Sequence, residues 1–373
     1  MLKKISIAVA AGLGLIVLSG VAYYNLHPTF GVEPSGARLG KIKQSPNYKD
    51  GLFHNIEPTQ ILTTDKSSIQ LFWDNLVKPK ADNLIPKSDI PVVKTDLKSI
   101  DINRNVIVWL GHSSYYVQLD GRRILIDPIL NSNASPLPVG NSVFKGTDVY
   151  HAEDMPDIDY VLITHDHYDH LDYKTFKDLR TKVKSVVVPL GLGDTIVSWG
   201  YVSERVIDLD WYEGLYSMDD DFNIVFAPAR HYSSRKFTRF KNLWGSYIIQ
   251  GTEKKLYFGG DSGYGKHYKD IGHRYGPFDF VALDSGQYNE KWANIHMRPE
   301  QTVQAASDLN AKVLIPAHIG RFSLAQHDWK EPFKLLVADS SEQDFNLLVG
   351  KIGEVIDIDN PEIKVDEWWN DVD

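Results

Sequence analysis

Hydrophobic and polar positions along the chain fall into two rhythms. Short runs rich in β-branched and aromatic residues recur at Val106–Leu110, Tyr115–Gln118, Arg123–Ile126, Tyr160–Ile163 and Ser185–Val188. They continue at Ile224–Ala227, Ser246–Ile249, Leu256–Phe258, Phe280–Leu283 and Val313–Ile315, and each predicts a strand. Longer stretches at Tyr173–Leu179, Pro299–Leu309 and Glu331–Ala338 predict helices, the second opening on Pro299 and Glu300, a favourable first turn. Strands and helices alternate without a strict strand–helix–strand rhythm, which predicts a mixed sheet and an α+β class. No Ser/Gly-rich or Pro-rich linker and no repeat period divides the 373 residues. Residues 25–373 therefore read as a single domain with an N-terminal extension.

The first 24 residues follow a different pattern. Met1-Leu2-Lys3-Lys4 is a short basic region, and the run from Ile5 to Tyr24 carries no charge; the next side chain of fixed positive charge is Arg38. About 20 apolar residues just span a bilayer. The charge bias leaves the Lys pair in the cytoplasm and everything after the run outside. Residues 1–24 are thus expected to be a signal anchor, or a secretory signal cut near Gly20-Val21-Ala22. Without a Cys after Leu18-Ser19-Gly20, a lipoprotein anchor is ruled out. The expectation is a membrane-anchored or exported chain with its domain on the extracytoplasmic side.

Candidate chemistry gathers where strands end. Tyr160–Ile163 runs directly into Thr164-His165-Asp166-His167-Tyr168-Asp169-His170, three imidazoles and two carboxylates in six consecutive residues. That exceeds what one tetrahedral zinc needs and points to two metals side by side. Three further strands end the same way: Ile224–Ala227 before Arg230-His231, Leu256–Phe258 before Asp261, and Val313–Ile315 before His318. Ligands at the carboxyl ends of strands form a coherent site at one sheet edge. The absence of Cys removes disulfides, thiolate ligands and a Cys nucleophile, and the net charge of −9 without a basic stripe argues against a nucleic-acid partner.

The pattern His165-x-His167-x-Asp169-His170 resembles the signature of the metallo-β-lactamase superfamily. Flanking segments resemble the N-acylphosphatidylethanolamine-hydrolysing phospholipase D family and its bacterial relatives. Those segments are Ser45–Asn55, Trp109–Ser114, Ile126-Asp127-Pro128, Pro228–Tyr232, Trp244–Tyr247, Gly260–Tyr264 and His296–Glu300. The resemblance implies an αββα sandwich with a dinuclear site at one edge. It assigns His165, His167 and His231 to one zinc, Asp169, His170 and His318 to the other, and Asp261 as the bridge. It also implies a hydroxide between the metals, acidified so that a nucleophile exists at neutral pH. Neutral imidazoles with carboxylates suit two Zn2+ ions, with other divalent metals open. His167 stands where the superfamily's di-iron redox members carry Glu, which favours zinc and hydrolysis.

The function the resemblance implies is a phospholipase D-like phosphodiesterase acting on phospholipid or N-acylated phospholipid at a membrane surface. Asp169 would orient the hydroxide, and His112 or His296 would protonate the leaving group. Asp127 is read as a carboxylate supporting the metal loop. A lactone or carboxyl-ester hydrolase of the same fold, and a non-catalytic metal-binding envelope protein, remain the alternatives; oligomeric state is open. Asp166 is either a loop-orienting or a catalytic residue. Arg230 and Arg321 either contact a phosphate or form structural ion pairs. Gly191-Leu192-Gly193 lacks the third glycine of a nucleotide loop and reads as a strand-to-helix turn. Most of the Trp residues are expected in the core, while Trp368-Trp369 could also meet lipid or a partner.

Overall fold

The computed structural model describes residues 2–67, 69–70, 73–74, 82–137, 140–219 and 221–373, with side chains from residue 12 onward. The opening charge pattern at Lys3 and Lys4 therefore lies outside the described side chains.

The chain begins with α1 (Leu2–Leu26) and α2 (Gly36–Gln44), then a small hairpin of β1 (Tyr48–Lys49) and β2 (Leu52–Phe53). A first sheet of seven strands follows: β3 (Val106–Gly111), β4 (Ser114–Leu119), β5 (Arg122–Ile126), β6 (Ile158–Leu162), β7 (Val183–Pro189) and β8 (Val206–Leu209), with β16 (Val355–Asp357) added at the β3 edge. The second sheet runs in the order β15 (Asn346–Leu347), β14 (Ala311–Ala317), β13 (Phe278–Asp284), β12 (Lys255–Phe258), β11 (Ser246–Gln250), β10 (Asn223–Ala227) and β9 (Gly214–Tyr216). Both sheets are mixed. In the first, β16 to β5 pair antiparallel and β5 to β8 parallel; in the second, β9 to β12 pair antiparallel and β12 to β15 parallel.

Side-chain alternation explains why these strands read as continuous apolar runs. Val106, Val108 and Leu110 of β3 point to a core shared with α3 (Tyr173–Leu179) and α4 (Gly193–Ser198), while Ile107 and Trp109 point to the core between the sheets. β7 divides the same way, with Val186 and Val188 outward and Val187 inward. The outer face of the second sheet is covered by α5 (His267–Tyr275), α6 (Pro299–Asp308) and α7 (Glu331–Ser340), through Ile271, Val303, Ala306, Phe333 and Leu336. The result is the expected αββα sandwich, and every predicted strand and helix is present.

Pairing directions bring the ends of β3, β5, β6, β10, β12 and β14 to one edge, which is where the candidate ligands follow. Trp368 and Trp369 are buried against Phe333, so these two rings belong to the core. Gly191 (φ +103) and Leu192 lead from β7 into α4, the strand-to-helix turn anticipated. α1 is packed at its C-terminal end, where Tyr23 Oη donates to the Pro136 carbonyl, while Leu15–Leu18 are exposed. Among the described residues no helix is long and apolar enough to cross a membrane.

Candidate metal centre

The loop after β6 starts from a rigid base. Thr164 donates its N–H to Asp127 Oδ1 (2.8 Å) and its hydroxyl to Asp127 Oδ2 (2.6 Å), and Asp127 Oδ2 also meets His170 Nδ1 at 2.7 Å. Thr164 Oγ1 lies 3.0 Å from His165 Nδ1. One buried carboxylate thus fixes the tautomer of His170 and, through Thr164, the ring of His165. Asp166 turns away from the cluster: Oδ1 accepts from Ser234 N and Oδ2 from Asn242 Nδ2, so it orients the loop.

The remaining side chains converge in two groups, and ligand atoms within each lie within 4.8 Å of one another. One group is His165, His167, His231 and Asp261; the other is His112, Asp169, His170 and His318. His167 Nδ1 sits 2.9 Å from His165 Nε2 and 3.2 Å from His231 Nε2. A single proton can join only two of these three nitrogens, whereas one cation satisfies all three. Asp261 divides its oxygens between the groups. Oδ2 faces His165 and His231, each at 3.7 Å, and Oδ1 faces His170 Nε2 at 3.1 Å and His318 Nδ1 at 3.0 Å. His170 Nε2 and Asp261 Oδ1 are buried and, among the described residues, lack a hydrogen-bond partner. With Nδ1–H given to Asp127, His170 in its neutral form presents an Nε2 lone pair to the lone pairs of Asp261 Oδ1. Two such groups face to face are the lining that divalent cations would fill, with Asp261 between the two ligand groups. All seven sequence-assigned ligands are brought together.

The electrostatics suit the same occupant. Burial holds the His165, His231 and His318 imidazoles well below their ordinary range, with neighbouring imidazoles adding to the effect. Burial works against ionised Asp261 and Asp169, yet His170 pulls both carboxyls well below the usual carboxylate range. His165, His231 and His318 as neutral imidazoles and Asp169 and Asp261 as carboxylates are in the states metal ligands need. His170 departs from them: against the pull of burial, Asp261, Asp169 and Asp127 hold its imidazole well above the ordinary range, so a proton occupies the position a cation would take.

The structure divides the other candidates. His112 is fully buried; its Nε2 meets Asp169 Oδ2 at 3.0 Å, placing it behind that ligand as a positioning residue. It lies in the left-handed region (φ 56), as do Asp127 (φ 41) and His318 (φ 62), a concentration of backbone strain typical of functional sites. Its N–H bonds the Ile319 carbonyl, and its carbonyl accepts from His318 N, both at 3.2 Å. His296 keeps part of its ring open to solvent and stacks on His318 (5.0 Å, 7°). Arg230 binds Thr59 and the Tyr264 carbonyl, and buried Arg321 binds the Leu110 and Asn131 carbonyls, so both guanidiniums brace loops.

Two contributors escape sequence reasoning. Asp284, at the end of β13, accepts His296 Nδ1–H at 2.8 Å and is fully buried. Burial lifts its carboxyl to about 7, and its negative charge in turn lifts His296 above the ordinary imidazole value against the pull of desolvation. The strand-end rule that finds the ligands would have found Asp284 one residue past Phe280–Leu283. Asn55 grips the His231 backbone from both sides, Oδ1 accepting from N–H (3.1 Å) and Nδ2 donating to the carbonyl (2.8 Å). A cavity of about 550 Å³ also opens between the foot of α1 and this edge, lined by Tyr23, His27, Leu130, Asn131, Asp172 and Tyr173.

The sequence profile of the Beta-lactamase superfamily domain matches residues 122–319, which contain all seven ligands. An uncharacterised protein of Mycobacterium tuberculosis is 36% identical over 332 residues, covering 88% of each chain. The N-acyl-phosphatidylethanolamine-hydrolyzing phospholipase D 1 of Caenorhabditis elegans is 30% identical over 238 residues, covering 59% of this chain and 65% of its own. Among solved structures, Igni18, a metallo hydrolase of Ignicoccus hospitalis, superposes with a TM-score of 0.51 at 23% identity, over 68% of this chain and 97% of its own.

Proposed function

The chain belongs to the β-lactamase superfamily as a metal-dependent hydrolase, and from that premise we propose that it is a di-zinc phosphodiesterase acting on phospholipids, N-acylated ones included. The observation that carries the reading is the joining of a two-cation ligand set, divided by Asp261, to the pair of buried Asp284 and partly open His296 beside it. Two divalent ions held there would supply Lewis acidity toward phosphoryl oxygens and a water acidified toward neutral pH.

The chain's own residues do the rest. His112 holds Asp169 and Asp127 holds His170, so ligand geometry is set before substrate arrives. His296, its Nδ1–H given to Asp284, is positioned to hand the proton on its other nitrogen to the departing alkoxide oxygen. Asp284 balances the imidazolium that precedes this transfer. We propose zinc because His167 leaves the first ligand group rich in imidazole. The similarity to the C. elegans phospholipase D supports a phospholipid substrate.

Elemental analysis combined with turnover before and after chelation tests the reading. About two zinc per chain and chelator-sensitive cleavage of an N-acyl phospholipid and of a soluble bis-aryl phosphodiester are expected. Asp261→Asn should lower bound zinc and turnover together. Two metals with cleavage confined to a lactone or aryl ester would move the substrate to that class, and full activity of the metal-free chain would end the mechanism.

A further inference from the structure

The chain is acidic overall, yet residues 235–241 read Arg-Lys-Phe-Thr-Arg-Phe-Lys, four cations in seven positions without an acidic residue. The base of this loop is pinned to the metal loop: buried Arg235 donates to the carbonyls of Thr29, Asp166 and Leu171. Its tip points outward. Phe237 is 88% exposed, an unusual position for a large apolar ring on a well-tied loop. What Phe237 does touch is the foot of α1, where it stacks on Tyr24 (4.7 Å, 26°) and donates its N–H to Tyr24 Oη (3.0 Å). Tyr23, Tyr24 and Phe30 complete an aromatic collar there. Above the collar, Leu15, Ile16, Val17, Leu18 and Val21 are each more than half exposed, so this stretch of the helix is apolar around its circumference and open to its surroundings.

An apolar shaft, an aromatic collar and a cationic rim, in that order, match the layers of a bilayer: acyl chains, interface, and anionic headgroups. The rim is also the wall of the metal centre. Arg239 lies over the Tyr232 ring (5.4 Å), and Tyr232 lies against His167 (4.6 Å). We propose that the Arg235–Lys241 loop docks the metal centre on an anionic phospholipid surface, with Phe237 inserted beside α1 and Lys236 and Arg239 meeting headgroup phosphates. Docking in this orientation presents a lipid phosphodiester at the edge where the ligands gather. The inference rests on the phospholipid reading for its purpose, though not for its geometry.

The chain contains no Cys, so a single introduced thiol reports one position. In the full-length, zinc-loaded protein, Phe237→Cys is labelled with a polarity-sensitive dye. Asn360→Cys serves as the control, because Asp357 pairs with Val106 at the far end of β3 from His112. Vesicles are phosphatidylcholine alone or mixed with phosphatidylglycerol. The expected result is a severalfold gain in emission with a blue shift at position 237 on the anionic vesicles, a weaker response on neutral ones, and none at 360. Lys236→Cys, next in sequence, should repeat it. No response at 237 in a chain that sediments with vesicles would overturn the proposal, as would equal responses at 237 and 360. A dye at 237 already shielded in a dimer before vesicles are added would make the occupant a second copy instead. Turnover in the same samples separates the two readings. With a few per cent of an N-acyl phosphatidylethanolamine added to both vesicle types, insertion at 237 with all lipid intact defeats the phospholipid substrate alone, whereas lipid cleavage with 237 in water defeats the docking alone.

Discussion

Replacing Asp127 by Asn is the sharpest probe of how the centre is held. The carboxylate accepts three donors on two oxygens: Thr164 N–H at 2.8 Å, Thr164 O–H at 2.6 Å and His170 Nδ1–H at 2.7 Å. An amide keeps one accepting oxygen. The Thr164 hydroxyl can rotate and accept from the new N–H group, but the backbone N–H and the imidazole cannot, so one buried donor loses its partner whichever way Asn turns. Losing a hydrogen bond to a charged acceptor costs about 1.5–3 kcal/mol. Expressed at the metal, that is roughly a ten- to hundredfold loss of affinity, the range found when a carboxylate behind a ligating His is removed. Because Thr164 also contacts His165, both cations should bind more weakly. Competition with a chromophoric chelator gives the affinities, and turnover against added zinc gives the functional counterpart. Turnover should recover at saturating zinc. Affinity within twofold of the parent chain, or a loss that zinc does not restore in a folded variant, would refute the reasoning.

His296→Gln should lower kcat about 10²- to 10⁴-fold on diesters with alkoxide leaving groups while sparing activated aryl diesters; equal losses on both substrate types would remove His296 from leaving-group protonation. His267 supplies a pH test outside the ligand set, its Nε2 lying 3.2 Å from Ser262 Oγ. Burial, helped by Arg230, depresses this imidazole to about 3, so the folded chain keeps it neutral while the unfolded chain takes up a proton below about 6.5. Stability should be unaffected by this residue above that pH and fall by about 1.4 kcal/mol per unit on acidification toward 3. Urea midpoints of His267→Asn should therefore decline less steeply with acid than those of the parent, and parallel curves would reject the linkage.

The strands were legible because both sheets are covered on both faces, leaving β3, β7 and β14 little room for polar residues. The edge strands were not. β8, β9, β15 and β16 are short and carry exposed or half-buried positions, so their patterns do not separate from loop. α5 was missed because its polar face, with Lys269, Asp270, His273 and Arg274, outweighs the buried Tyr268 and Ile271. The ligands were legible for a different reason: each is a chemically distinctive side chain one or a few residues beyond a strand, and strand ends share an edge. What one strand cannot encode is the contact between strand ends. Asn55 reaches His231 across 176 residues, and nothing local to Ser45–Asn55 marks that role. The same limit explains His112, whose Gly-His turn is ordinary in sequence. Its left-handed backbone is held by bonds to Ile319 and His318 from the other sheet, just as the left-handed His318 is held by His112. Each of these loops would relax if the other were absent. The two sheets therefore act on the metal centre as a clamp, and the rigidity that keeps neutral imidazoles crowded together belongs to the packing of the sandwich and not to any single motif.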